Sequence, residues 1–457
     1  MTNYFDEAEP QRVVAQYPLG ERFHEHVVSQ SVDALHALQE KRFQRVVARA
    51  WEIPFYARRW RAAGLEPGAI RGLEDLHMIP AFSKSDLMAS VEQYPPFGDF
   101  HGMNDAGNER RQVVFHTTSG TTGVPQPLFF GAWDREVQNA LLARVYTQQG
   151  VCASDVVHSV YGFGMVNGGH FVREALTHFT RALVLTPGTG VETASEQQVR
   201  LMKRFGVTVL VGFADYLLRL AEVAHDLGID PARDLNVRML SGHIPSDRAD
   251  ALSTAWGGAQ VFDWYGVGDT GVIAAQLDDE RELTVFEDAH VLEIVDPDTH
   301  ASVADGQVGN QCVTVLFKDT VYPIIRFDTQ DLSAIAKRRT GCLRRTRGFL
   351  GRSDNMVKLR GINVYPTAIG AMVDQLPSAN GEYLCVLTRS GGRDELCVEV
   401  EWNGNATEPE RQAVADVLNK GLGVKVDVAL VAPESTADRT GVNVRQKPQR
   451  LLDERQD

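Results

Sequence analysis

From residue 23 to residue 50, apolar side chains recur at helical spacing through Val27, Val28, Val32, Leu35, Leu38, Phe43, Val46 and Val47, with charged residues between them. That spacing predicts a helical segment with one buried face. Pro54, Gly64, Pro67 and Gly68 then punctuate a connection, and Ser83-Lys84-Ser85-Asp86 supplies capping side chains for another short helix. Between residues 156 and 267, short runs rich in β-branched and aromatic residues (156–163, 182–186, 207–213 and 259–265) alternate with helical stretches at 195–205 and 215–227. The alternation predicts an α/β sheet with helices on its faces. Residues 283–296, the turn at Pro297-Asp298, and residues 311–318 then read as hairpin-forming strands, a β-rich subregion that closes a large body. After residues 351–361 the texture changes again. A helix near 367–376, strands at 383–388 and 396–402, a helix near 408–422 and a strand at 424–431 predict a compact α+β unit. The boundary is placed at Asp354, dividing the chain into residues 1–353 and 354–457.

Composition narrows the class. The 457 residues exceed the span of one ordinary core, and 43% hydrophobic with 23% charged residues is the balance of a soluble globular chain. Lys and Arg total 46 against 60 Asp and Glu, a net charge of -14. That sign is opposite to the footprint of a nucleic-acid binder and unsuited to an anionic membrane, although one local cleft can still be cationic. Cys152, Cys312, Cys342, Cys385 and Cys397 form no CxxC pair and are odd in number, so they read as reduced thiols rather than a disulfide framework or zinc site. The first ten residues are acidic, and no run approaches about 18 apolar residues. Cytoplasmic residence is the expectation.

The richest chemistry lies in His116-Thr117-Thr118-Ser119-Gly120-Thr121-Thr122-Gly123-Val124-Pro125, which follows the apolar Val113-Val114-Phe115. Glycines and hydroxyls at this density let a backbone approach an anion while its donors point inward. A solvated linker would share the composition, and no Lys-Ser or Lys-Thr follows as in a Walker loop. A second cluster, Gly266-Val267-Gly268-Asp269-Thr270-Gly271, fits GxGxxG after a strand-like run. Alone it reads as a tight turn rather than a dinucleotide fingerprint.

Taken in order, five motifs are more specific than any one. The hydroxyl loop is followed by Asp263-Trp264-Tyr265-Gly266, then by Arg326-Phe327-Asp328-Thr329-Gln330-Asp331-Leu332. Gly351-Arg352-Ser353-Asp354 with Arg360-Gly361-Ile362-Asn363-Val364-Tyr365-Pro366 comes next, and Lys447-Pro448-Gln449-Arg450 closes the series. This series resembles the adenylate-forming acyl-CoA synthetase superfamily, most closely its phenylacetate-CoA ligase branch, over nearly the whole chain. The resemblance implies a large multi-subdomain α/β body with a small mobile C-terminal α+β cap. It further implies activation of a carboxylic acid by ATP and Mg2+ to an acyl-adenylate, then transfer to the thiol of coenzyme A.

Carried over residue by residue, Thr117, Thr118, Ser119, Gly120, Thr121, Thr122 and Gly123 correspond to the loop holding the departing pyrophosphate. Gln126 stands where a lysine is common. Asp331 corresponds to the carboxylate on the ribose hydroxyls, Arg352 to its partner at ribose and phosphate, and Tyr265 to the ring stacked on adenine beside Asp263, Trp264 and Gly266. Asp269 occupies the position of a magnesium-binding glutamate one methylene longer, and Gly268 that of a phosphate-binding hydroxyl, for which Thr270 is a substitute. Ser241-Gly242-His243 corresponds to the loop that passes adenine and lines the acid pocket. His243 reads either as a buried structural histidine or as a contact to a polar group on an aromatic acid. The pocket walls are expected to include Tyr161, Phe163, Val166, Asn167, Phe213, Gly242, His243 and Val267, a set suited to a flat ring. Lys447 corresponds to the adenylation lysine, Asp354 to the hinge and Gly361 to the face presented for thioester formation.

The leading expectation is an aryl-acid:CoA ligase, with a homodimer compatible with it. A relative passing the acyl group to a carrier-protein thiol or an amine, and an idle nucleotide-binding regulator, are the alternatives. Lys447→Ala is expected to abolish acid-dependent pyrophosphate exchange while permitting thioester formation from supplied acyl-adenylate. Exchange at the wild-type rate would remove this role from Lys447.

Overall fold

Alternation of side chains along the strands between residues 156 and 267 builds two cores at once. Val209, Val211 and Met239 enter one apolar cluster, whereas Leu210 and Leu240 enter another. A strand buried on both faces in this way needs helices above and below it. Phe171, Val172 and Leu176 of the helix Asn167–Phe179 cover the first face. The second is covered by Val199 and Met202 of Ser195–Phe205 and by Leu217 and Leu220 of Ala214–Asp226. Each such fully buried leucine contributes about 1.5–3 kcal/mol. Gly206, at φ 63°, ends the helix Ser195–Phe205 in the left-handed conformation that glycine adopts without strain.

The computed structural model describes residues 3–104, 111–118, 125–353, 357–359, 362–390, 393–442 and 449–455. The chain divides into two units, Met1–Thr329 with Ser333–Phe349, and Gln330–Leu332 with Leu350–Asp457. In the first, a nine-stranded sheet runs in the order Ile335–Thr340, Leu343–Thr346, Leu283–Val285, Gly271–Ala275, Gln260–Val267, Met239–His243, Val209–Phe213, Val156–Ser159, Leu183–Leu185. The last five strands are parallel neighbours and the others pair antiparallel. The helix Ala132–Gln148 is buried over nearly its whole length and carries Asp134, Arg135, Glu136 and Arg144 inside.

The second unit holds a four-stranded sheet ordered Asp427–Val431, Arg393–Trp402, Ala379–Ser390, Leu451–Asp453. The helix Glu408–Leu422 starts with a capping box between Thr407 and Glu410 and ends at Gly423, φ 69°. Its Val414 and Leu418 pack with Cys385, Leu387, Val398 and Val400.

Two expectations are corrected. Residues 23–50 are not one helix: Glu21–Phe23 runs into a π-helical turn, His24–Val28, and a new helix, Val32–Trp51, starts where the Ser31 hydroxyl accepts from the Ala34 amide at 3.1 Å. Ser31 thus ends the apolar period, and Val32 is left 54% exposed. Residues 283–296 are not one hairpin strand either. They form Leu283–Val285 in the nine-stranded sheet and His290–Val295 in a pairing with Gly309–Val315.

The reason for that second break is a buried ion pair. Arg144 donates two hydrogen bonds of 2.9 Å to the Asp288 carboxylate, both side chains being fully buried. Arg42 donates to the Asp288 carbonyl and Gln39 to those of Glu287 and His290. Burial alone would raise the Asp288 pKa; the Arg144 guanidinium outweighs it and holds the carboxyl below its usual value. Asp288→Ala, which strands a buried guanidinium, is expected to cost about 3–5 kcal/mol in urea unfolding. A loss below about 1 kcal/mol, the scale of an exposed pair, would show the turn to be held otherwise.

Candidate active site

The segment expected to cradle an anion starts on a β-hairpin. Val113–Thr117 pairs antiparallel with Pro127–Gly131, placing Thr117 opposite Pro127. Beyond that rung the Thr118 amide donates to the Gln126 carbonyl at 3.0 Å, and the Gln126 amide to the Thr118 hydroxyl at 3.2 Å. Ser119, Gly120, Thr121, Thr122 and Gly123 lie outside the described residues. On its other side, the Thr117 amide donates to the Met165 carbonyl at 2.8 Å. That bond joins the hairpin base to the loop following the parallel strand Val156–Ser159.

Gln126 is 1% exposed, and its side-chain amide donates to Asp269 Oδ1 at 2.7 Å. The Tyr322 hydroxyl donates to the same oxygen at 2.9 Å, and Lys318 Nζ to the Asp269 backbone carbonyl at 2.8 Å. The Lys318 ammonium also lies 4.4 Å from the Tyr322 ring centroid and 5.1 Å from that of Phe130. Burial raises the Asp269 pKa, while Lys318, Tyr322 and Gln126 favour the ionised form. Burial likewise pulls Lys318 down to about 8, against Asp134 and Asp269. Asp134 is pushed up to about 7 by burial, against its hydrogen bond from Thr320. Lys318 and Tyr322 were missed by sequence reasoning. The available signal was a lysine closing the apolar Val315–Phe317 run, where a charge must find partners.

The turn carrying Asp269 needs two of its glycines. A Cβ on Gly266 would lie 2.2 Å from the Gly271 carbonyl oxygen, and Gly271 sits at φ 72°. A Cβ on Gly268 would meet Leu128 Cδ1 at 2.9 Å. The Thr270 hydroxyl is fully buried and donates to the Gly271 carbonyl at 3.0 Å, so it faces the turn's own backbone.

At the carboxyl ends of the parallel strands stands an aromatic wall. Phe213 and His243 are the last residues of adjacent strands and register partners, Gly242 is paired with Asp263, and Tyr161 lies two residues past Ser159. In open α/β sheets ligands bind at this edge. The Tyr161 hydroxyl and His243 Nδ1 are 2.8 Å apart, and the His243 ring stacks on Phe213 (5.0 Å, 21°) and contacts Trp264 at 4.1 Å. A Cβ on Gly242 would lie 1.8 Å from the Gly212 carbonyl oxygen, so only glycine fits there. Asp263 accepts from the Ile244 amide at 3.0 Å, and burial pushes its carboxyl up to about 8. Tyr265 is buried, and its hydroxyl donates to Thr329 Oγ1 at 3.2 Å.

The other expected wall residues take varied positions. Phe163 packs edge-on against His170 at 5.1 Å; Val166 and Val267 are half-buried. Asn167 accepts from Arg135 at 2.6 Å inside a network with Glu174 and Asn139. Ser241 donates to Gln149 at 2.6 Å and is turned into the core. In the second unit, Asp331 and Arg352 face each other across an antiparallel pair, with Arg352 Nη1 donating to Asp331 Oδ1 at 3.0 Å. Arg450 donates to Glu382 at 2.7 and 3.1 Å beside the strand Leu451–Asp453. Lys447, Asp354 and Gly361 lie outside the described residues. Among the described residues no three His, Cys, Asp or Glu side chains group as a metal cage, and no helix is long and apolar enough to cross a membrane.

Known proteins with this layout are numerous. Residues 14–315 match the family described as AMP-binding enzyme, and residues 361–455 match the AMP-binding enzyme C-terminal domain. A phenylacetate-coenzyme A ligase of Thermus thermophilus is 30% identical over 92% of this chain and 97% of its own. One from Aromatoleum evansii is 29% identical over 87% and 88%. The crystal structure of 2-hydroxyisobutyryl-CoA ligase in the postadenylation state superposes with a TM-score of 0.80 at 27% identity, covering 93% of this chain and 91% of that one. The same ligase with CoA in the thioesterification state gives 0.66 at 28% identity, covering 94% and 91%.

Proposed function

The chain belongs to the AMP-binding enzyme family, in its phenylacetate-coenzyme A ligase-like branch, and we propose that it activates an aromatic carboxylic acid with ATP and passes the acyl group to the thiol of coenzyme A. In the first step a carboxylate oxygen bonds to the α-phosphorus and the bond to pyrophosphate breaks. In the second the thiol sulfur bonds to the acyl carbon, and AMP and the thiol proton leave. Both steps bring negative or electron-rich groups together, so preorganised donors are the main source of rate.

The observation that carries this reading is the Thr117 amide bond to Met165, which joins the hydroxyl hairpin to the loop of the aromatic wall. This contact supports placing an anion cradle beside a flat apolar surface. Thr117 to Gly123 are assigned to the pyrophosphate. Tyr265, with Asp263, Trp264 and Gly266, is assigned to adenine, Asp331 and Arg352 to the ribose, and Lys447 to the carboxylate and phosphate oxygens during adenylation. Asp354 is assigned the hinge between residues 1–353 and a cap of residues 354–457, and Gly361 the coenzyme A side.

The chemistry of Asp269 supports a magnesium ion at this position. Its carboxylate is a hard oxygen donor whose ionised form Lys318, Tyr322 and Gln126 favour, and Mg2+ takes one or two carboxylates with the rest from phosphates and water. When bound, the ion would neutralise phosphate charge; Gln126 and Tyr322 meanwhile fix the carboxylate through Oδ1. The cytoplasm is the compartment proposed, on the five unpaired cysteines.

A pyrophosphate-exchange screen over benzoic, arylacetic and heteroaromatic acids, with mass spectrometry of products with and without CoA, tests the assignment. Acid-dependent exchange, and a thioester only when CoA is present, are the expected results. An amide or carrier-bound product instead of a CoA thioester would reassign the acceptor, and exchange with no aromatic acid would reject the aromatic substrate.

A further inference from the structure

The Asp269 carboxylate is held on one side only. Gln126 Nε2 and the Tyr322 hydroxyl both donate to Oδ1, at 2.7 and 2.9 Å, and no donor among the described residues reaches Oδ2. The main chain of the same residue is pinned separately, by the Lys318 ammonium on its carbonyl at 2.8 Å. Turning the side chain would break both Oδ1 bonds at once, so Oδ2 keeps one direction. Tyr322 is itself locked. It is fully buried, its ring centroid lies 5.2 Å from that of Phe100, and Lys318 Nζ stands 4.4 Å from it. The residue after it is tied down as well, since the Tyr56 hydroxyl donates to the Pro323 carbonyl. Fixed at ring and backbone, Tyr322 brings its hydroxyl to a set point.

That set point fits aspartate. One more methylene would carry the carboxylate about 1.5 Å farther from the main chain. With a hydroxyl at 2.9 Å and an amide at 2.7 Å, the Oδ1 side has no room for it, and Asp269 is only 4% exposed. A longer acid would have to push a packed tyrosine aside or turn away from both donors. Resting on the magnesium site proposed above, we infer that Tyr322 is a positioning residue matched in length to Asp269: its hydroxyl engages one carboxylate oxygen, leaves the other for the cation and occupies the place a glutamate would need. Tyr322→Phe removes that one oxygen, and Asp269→Glu returns one towards the same place. Each change alone therefore harms cation binding, and the two together relieve each other.

The test reads cation affinity in the full-length enzyme in two ways. Mn2+ binding is followed by electron paramagnetic resonance with α,β-methylene-ATP as the uncleaved nucleotide, and Mg2+ is titrated in acid-dependent pyrophosphate exchange. Tyr322→Phe is expected to weaken Mn2+ binding and raise half-saturating Mg2+ by about tenfold each, while exchange at saturating Mg2+ falls by less than about threefold. Asp269→Glu is expected to lose about tenfold or more in Mn2+ affinity, and Asp269→Glu/Tyr322→Phe to bind Mn2+ more tightly than Asp269→Glu alone. Loss of rate or thermal stability in Tyr322→Phe with both cation readouts unchanged would overturn the inference, as the mark of a merely structural tyrosine. A double variant no tighter than Asp269→Glu would also overturn it. Should Tyr322→Phe fail to fold, Asp269→Glu decides, because wild-type Mn2+ affinity there would contradict the match in length. If the wild-type enzyme binds no Mn2+, the magnesium reading falls and the inference with it.

Discussion

How one buried carboxylate is held decides where the segments around it meet. Asp269 takes two hydrogen bonds on a single oxygen, from Gln126 and Tyr322, and its carbonyl takes a third from the Lys318 ammonium. Those donors come from two places: the base of the hydroxyl hairpin, and the connection between the strands Gly309–Val315 and Phe327–Ser333, which carries both Lys318 and Tyr322. A carboxylate and an ammonium at this depth are tolerated only when paired and hydrogen-bonded. Satisfying them therefore draws the hairpin, the turn and the 318–322 segment to one point. Gln126 fixes the acidic residue through a neutral amide, without adding charge.

The second constraint is the parallel sheet. Its strands end together, so Phe213, His243 and the segment after Ser159 arrive at one edge without a dedicated loop to gather them. The Gly242 contact with Gly212 shows how closely the backbones must approach there, since any Cβ would lie 1.8 Å from a carbonyl oxygen. The hairpin docks on that edge through Thr117, so the segment proposed for the phosphates and the wall proposed for the acid are neighbours.

Much of this was legible in the chain. Helices with strong apolar period and clear stops, Ser195–Phe205 before Gly206 and Glu408–Leu422 before Gly423, have the bounds read from their residues. Motif order identified the family because five local patterns in series are specific. What stayed hidden was non-local. The break at Asp288 depends on Arg144, more than a hundred residues away in sequence, and nothing near Asp288 announces it. Lys318 and Tyr322 acquire their partners only on folding. Side-chain direction was equally out of reach: Thr270, Ser241 and Asn167 sit on the expected segments, yet their polar atoms are committed to Gly271, Gln149 and Arg135. A residue's place in a motif indicates its neighbourhood, whereas its hydrogen-bond partner is a property of the packed molecule.

The most direct test of the central claim, that Gln126 and Asp269 act as one unit at the phosphates, is a double-mutant cycle read by acid-dependent pyrophosphate exchange in Gln126→Ala, Asp269→Asn and the double variant. Each single change is predicted to lower exchange by about tenfold or more, and the double variant to be no slower than Asp269→Asn, because contacting residues couple by about 0.5–3 kcal/mol. Independent, multiplying effects would contradict the account, as would exchange in Asp269→Asn at the wild-type rate.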